Sequence, residues 1–178
     1  MITIKVPEKE LFDEKTESFH TIKACELHLE HSLISLSRWE SKWKKPYIDD
    51  IEHSRKEIID YICCMSVDKV IDPEIIETLD MGTLKKILEY IGDSNTATTI
   101  VDRRPNKGPS REKVTSELIY YWMIYYGIPF ECQKWHLNRL MTLIRVCGIK
   151  GGTTNQDMDL NAIFAQNRKL NAHRRAAR

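Results

Sequence analysis

The chain has 178 residues, of which 42% are hydrophobic and 30% charged, with a formal net charge of +1. That length fits one domain, or one domain with an appendage, and it can bury a real core. The composition excludes fibrous and broadly disordered chains, and the near-neutral balance excludes a surface that is everywhere a trap for nucleic acid or anionic lipid.

The first five predicted strand residues, "ITIKV", alternate cleanly, with Ile2, Ile4 and Val6 on one face before Pro7 ends the run. The same N-terminus, "MITIKVPEKE", carries charge where a secretory leader needs an apolar run, so no such leader is expected. "ELFDEKTESFHTIK" reads as a hairpin, with Leu11 and Phe12 on one arm and Phe19 and Ile22 on the other. "CELHLEH" alternates again, with Leu27 and Leu29 facing one way. Together these segments predict a small antiparallel sheet with one solvated face over residues 1–31.

At Ser32 the period becomes helical. Ser32 is a candidate N-cap for "LISLSRWESKWKK", whose stripe is Leu36, Trp39 and Trp43 and whose end is set by Pro46. "SRKEIIDYICCM" continues with Ile58, Ile62 and Met65. Asp72 followed by Pro73 is a cap and first-turn proline for "PEIIETLD". "MGTLKKILEYIG" carries Leu84, Leu88 and Ile91 and stops at Gly92.

Residues 93–109 are rich in turn formers. Ser110 then opens "REKVTSELIYYWMIYYG", with Val114, Leu118, Trp122 and Tyr125 or Tyr126 as its expected core face. Gly127 and Pro129 break the chain before "PFECQKWHLNRLMTLIRVCG", whose stripe is Leu137, Leu140, Met141 and Ile144. Two long helices so closely spaced predict a tight helical hairpin. A glycine linker follows, and then a helix from Asp157 or Asp159. That helix carries Leu160, Ile163 and Phe164, and ends in Arg168, Lys169, Arg174, Arg175 and Arg178. The narrow stripe and loose linker predict an element that docks weakly. The expected organisation is an α+β, mostly helical protein: a β element at 1–31, a helical domain at 32–147, and a linker with a basic helix at 148–178.

Searches for chemistry return little. There is no phosphate-cradling glycine loop, no nucleophile elbow and no H-E-x-x-H pair. Glu26, His28 and Glu30 share a strand face, but solvated strands carry such residues without a metal. His136 reads as a core histidine with a satisfied hydrogen bond. The five cysteines form no C-x-x-C pair, which points to reduced thiols, and the vicinal Cys63 and Cys64 read as small hydrophobes. Neither an enzyme, nor a cofactor, nor a metal site is expected. The basic residues of the C-terminal segment could contact phosphate or an acidic protein, but no base-reading helix accompanies them.

The most unusual stretch is Ser116–Val146, which holds four tyrosines and two of the chain's four tryptophans. Tyr120, Tyr121, Trp122, Tyr125 and Tyr126 surround their helix almost completely, and tyrosine suits half-buried contact surfaces. The segments "MITIKVPEKELFDEKTESFHTIKACELHLEHSLISLSRWESKWKKPY" and "PSREKVTSELIYYWMIYYGIPFECQKWHLNRLMTLIRV" resemble a family of small proteins of tailed bacteriophages and prophages, the tail assembly chaperones. The resemblance covers about half the chain and fades over Met65–Asn106 and after Gly148.

What it implies is a non-enzymatic protein of the infected bacterial cytoplasm. Such a protein coats the tape measure protein, recruits tail tube subunits, self-associates along its client and needs no membrane. The residues expected to carry partner binding are Tyr121, Tyr125 and Trp135 around the hairpin, with Leu160, Ile163 and Phe164 on a detachable helix. The competing reading is a structural virion component, such as a head–tail connector or completion protein, whose basic tail touches DNA or a protein ring.

Overall fold

The computed structural model describes residues 1–13, 17–49, 52–68, 70–100 and 113–155. The architecture is α+β and mostly helical. Among the described residues four strands come first, β1 (Ile2–Val6), β2 (Lys9–Asp13), β3 (Ser18–Ile22) and β4 (Cys25–Leu29), and six helices follow, α1 (Leu33–Trp43), α2 (Arg55–Cys64), α3 (Pro73–Glu77), α4 (Met81–Gly92), α5 (Ser116–Tyr125) and α6 (Leu137–Asn155). A short 3-10 turn at Phe130–Lys134 sits between the last two.

The alternating strands form as expected, but they make two ribbons and not one sheet. β1 pairs antiparallel with β4, placing Ile2 opposite Leu29 and Val6 opposite Cys25, while β2 and β3 pair only with each other. Pro7 lacks the N–H that would carry the first ladder onward. The second ribbon leans on α3, through His20 Nε2 and Glu74 Oε1 at 2.8 Å and through the Lys9 ammonium bonding the Thr78 carbonyl. Ile4, Val6, Leu27 and Leu29 turn inward onto the helices.

Helix starts follow local chemistry. Ser32 and Ser54 each accept from the backbone N–H three residues on and donate their own N–H to that residue's side chain in return, forming capping boxes. Asp72 caps α3 with Pro73 in its first turn, Asp80 caps α4, and Thr115 caps α5. The α1 helix stops before Pro46, at Lys44, which takes the left-handed conformation (φ 57°) and closes onto the Glu40 carbonyl.

The core is aromatic in its N-terminal half. Trp39 and Tyr61 are fully buried. Tyr47 stacks between Tyr61 (centroids 3.8 Å apart) and His53 (4.4 Å), and meets Trp39 edge-on at 4.9 Å. Both polar tips are satisfied where they matter: Trp39 Nε1–H donates to the Glu57 carbonyl at 3.0 Å, and Trp43 Nε1–H donates to Asp60 Oδ2 at 2.7 Å. The Lys45 ammonium bonds Glu57, and with the Ser54 amide it holds that carboxyl down at about 2.

Glu40 joins the two halves of the protein. Its buried carboxylate accepts from the Ser116 N–H at 2.7 Å and from the Tyr47 N–H at 3.1 Å, so the end of α1 holds the start of α5. Glu40→Ala leaves both donors unpaired and is expected to cost about 2–4 kcal/mol in urea unfolding. A change below about 1 kcal/mol would mean that water replaces the carboxylate.

Several expected faces are rotated or cut. On α2 the buried residues are Glu57, Ile59, Asp60, Tyr61 and Ile62; of the expected Ile58–Ile62–Met65 face, Ile62 and Met65 are buried and Ile58 is only partly covered. On α4 the fully buried residue is Ile87, while Leu88 and Met81 are exposed. Apolar residues at 84, 87, 88 and 91 cover more than one face of that helix, and Ile87 is the one taken fully into the core. The α5 helix begins at Ser116 and not after Ser110, and its buried face is Ser116, Ile119 and Met123 in place of the Leu118–Trp122–Tyr125 line.

The expected second arm of the helical hairpin is divided. Gly127 (φ 64°) turns the chain, Phe130–Lys134 forms the 3-10 turn, and Trp135 is extended. His136 pairs with Ser32 in an isolated β-bridge, and α6 starts only at Leu137. It then runs through the expected linker at Gly148, reaching Asn155. Residues 101–112, with the expected Ser110 cap, lie outside the described residues. So do Leu160, Ile163, Phe164, Arg168, Lys169, Arg174, Arg175 and Arg178.

Candidate functional site

α5 has two unlike faces. Ile119 and Met123 are fully buried against the rest of the core, and Ser116 enters beside them because its N–H is claimed by Glu40. Tyr121, Ile124 and Tyr125, on the opposite face, are 57%, 65% and 63% exposed. They recur at the three- and four-residue spacing that puts side chains in one row. The Tyr121 and Tyr125 rings stack at 6.2 Å, and Tyr125 meets Tyr126 edge-on at 5.0 Å. Phe130, also half exposed, lies 6.4 Å from the Tyr120 ring, whose hydroxyl donates to Gln133 Oε1 at 2.9 Å. The result is an aromatic ridge carried on a helix whose opposite side is firmly seated.

Tyr121 and Tyr125 therefore come together on the surface. Trp135 does not join them in the same way: it is half buried, and the Arg139 guanidinium lies 4.1 Å from its ring centroid. Ile124 and Phe130 belong to the exposed surface although sequence reasoning did not select them. The three-residue step from Tyr121 to Ile124 was the available signal.

The buried histidines form a joint between elements. The Tyr61 hydroxyl, kept protonated by full burial, donates to His31 Nδ1 at 2.6 Å. His31 packs 5.1 Å from the His136 ring, and its carbonyl accepts from the Leu137 N–H at 2.7 Å. His136 Nε2–H donates to the Tyr90 carbonyl at 3.0 Å, and its Nδ1 has no partner among the described residues. Burial, reinforced by His136, pushes His31 down to about 3, so His31 is neutral here. This cluster ties α1, α4 and α6 together.

A concavity of about 560 Å³ is lined by Arg38, Lys42, Asp60, Cys63, Cys64 and Asp68 among others. Its charges are already engaged: Lys42 with Asp60, Asp68 with His28 at 2.6 Å, and Arg38 with the Ser66 carbonyl at 3.2 Å. Burial pushes the Cys63 and Cys64 thiols up to about 12 and about 11, so both stay protonated at neutral pH. Glu26, His28 and Glu30 separate toward Lys5, Asp68 and Tyr90 respectively. Among the described residues no three metal-ligating side chains are grouped, and no helix is long and apolar enough to cross a membrane.

Fold and surface together define a small, mostly helical α+β protein that presents an aromatic helix face. Comparison with protein-family models, with curated proteins and with solved structures gives no match.

Proposed function

We propose that this protein is a tail assembly chaperone of a tailed bacteriophage: a non-enzymatic protein of the infected bacterial cytoplasm that binds the tape measure protein and assists assembly of tail tube subunits. The observation that carries this reading is the Tyr121–Ile124–Tyr125 ridge, exposed on a helix whose other face is locked into the core. An extended apolar helix in water needs its stripe covered, and rigid aromatic anchors bury large area at small entropic cost. The resemblance of the N-terminal and central segments to the chaperone family supplies the client; the ridge supplies a surface for it.

The test separates binding from folding. With Tyr121 and Tyr125 both replaced by alanine, retention of co-expressed tape measure protein is expected to fall at least about tenfold, equivalent to about 1.4 kcal/mol. The melting temperature should move by less than about 2 °C, because exposed side chains contribute little to stability. Parallel losses of binding and stability would make these rings part of the core and remove the reading. Presence of the protein in purified particles at a fixed ring copy number would favour a connector instead.

A further inference from the structure

A second apolar surface lies away from the ridge. Ile58 and Ile62 of α2, Ile76 of α3, and Met81, Leu84 and Leu88 of α4 line a groove of about 380 Å³, with Arg55 and Glu77 at its rim. Met81 is 80% exposed and Leu88 47%, so neither is covered by the described part of the chain. The groove arises from the excess of apolar residues on α4: Ile87 fills the core, Leu84 is partly buried, and Met81 and Leu88 are exposed.

The chain itself contains a segment suited to this groove. Beyond Asn155 lie 23 residues. Leu160, Ile163 and Phe164 stand there at the spacing by which an amphipathic segment anchors in a groove, and Leu170 falls seven residues after Ile163. At helical rise the four would span about 15 Å, and the groove floor from Met81 to Leu88 about 10 Å. Charges match as well. Asp157 and Asp159 precede the anchors, and after Asp159 the segment holds five Lys or Arg and no acid. The groove offers Arg55 at its rim, and the stretch 72–80 beside it carries Asp72, Glu74, Glu77 and Asp80 with no Lys or Arg.

We propose that the segment from Asp157 to Arg178 docks in the α2–α3–α4 groove, with Leu160, Ile163 and Phe164 on the apolar floor and its cations against the acids of residues 72–80. Docking within one molecule and docking between two copies use the same anchors; between copies it links the groove of one to the tail of the next, a contact that propagates. Neither outcome depends on a phage client.

Full-length purified protein carrying the photo-reactive p-benzoylphenylalanine in place of Phe164 tests this directly. Irradiation followed by peptide mapping is expected to place the adduct on α2 or α4, with Met81 and Leu88 foremost. Adducts within one chain or between two copies both place the segment in the groove. Leu88→Asp, at an exposed position where folding tolerates it, should lower the yield about tenfold by putting a charge on the apolar floor. High salt should lower it too, because the flanking charges are exposed. Tyr125→Ser should leave it unchanged. Adducts on the α5 ridge, adducts scattered without preference, or a yield indifferent to Leu88→Asp would each overturn the proposal. Those results would leave the tape-measure reading, which rests on α5, to its own test.

Discussion

Trp39→Ala is expected to destabilise the protein by about 3–5 kcal/mol, a large part of the stability of a domain this size. Trp39 is the hub of the aromatic core. Its ring stacks on Trp43 at 5.9 Å, meets Tyr47 edge-on, and packs 5.5 Å from His53. Truncation opens a cavity in the aromatic core, and it leaves the Glu57 carbonyl without its Nε1–H donor. Trp39→Phe keeps a ring in the core while losing the bond and part of the indole volume; its cost should be smaller, about 1–3 kcal/mol. Urea unfolding followed by far-UV circular dichroism reads both. A Trp39→Ala loss below about 1 kcal/mol would show that the core repacks around the gap.

Acid should weaken the fold before carboxylates titrate, and His31 is the reason. Burial lowers its folded-state value from the ordinary 6.5 to about 3, so the native state holds it neutral while the unfolded chain protonates it near 6.5. Unfolding therefore takes up a proton below that value. The stability is complete above about pH 6.5 and falls as pH drops toward 3, by about 1.4 kcal/mol per unit, or about 2 kcal/mol at pH 5. His31→Gln retains an acceptor for the Tyr61 hydroxyl and removes the titration. Its stability should fall about one proton less steeply than the parent's between pH 6.5 and 5. Equal slopes in the two proteins would mean that His31 protonates without cost in the native state, and the joint at His31–His136 would be more open to water than its burial indicates.

The sequence carried the strands and helix starts well because those depend on neighbours along the chain. Ser32, Ser54, Asp72 and Asp80 each bond a backbone N–H two or three residues on, and that chemistry needs no tertiary partner. Strand alternation in Ile2–Val6 and Cys25–Leu29 worked for the same reason. The helix faces were less legible. α5 is apolar almost all round, so its pattern contains no phase, and the Glu40 bond to the Ser116 N–H selects which side turns inward. α4 has the same ambiguity, and only its packing in the folded core shows that Ile87 is the buried residue. The division of the second hairpin arm at His136 was invisible as well, because an isolated bridge to Ser32, 104 positions away, leaves no local periodicity.

Composition, capping and periodicity by themselves determined that this is a mostly helical α+β protein and where most of its helices begin. They also picked out Tyr121 and Tyr125, though not whether those rings would be covered. Only the tertiary structure decided that they face outward while Trp39 and Tyr61 form the buried aromatic core, and that Met81, Leu84 and Leu88 edge an open groove. The physical reason is that a residue's affinity for an apolar environment is written in its side chain. Which apolar side chains find cover depends on how elements far apart in the chain meet, and on buried anchors such as Glu40 and His31 that hold them in place.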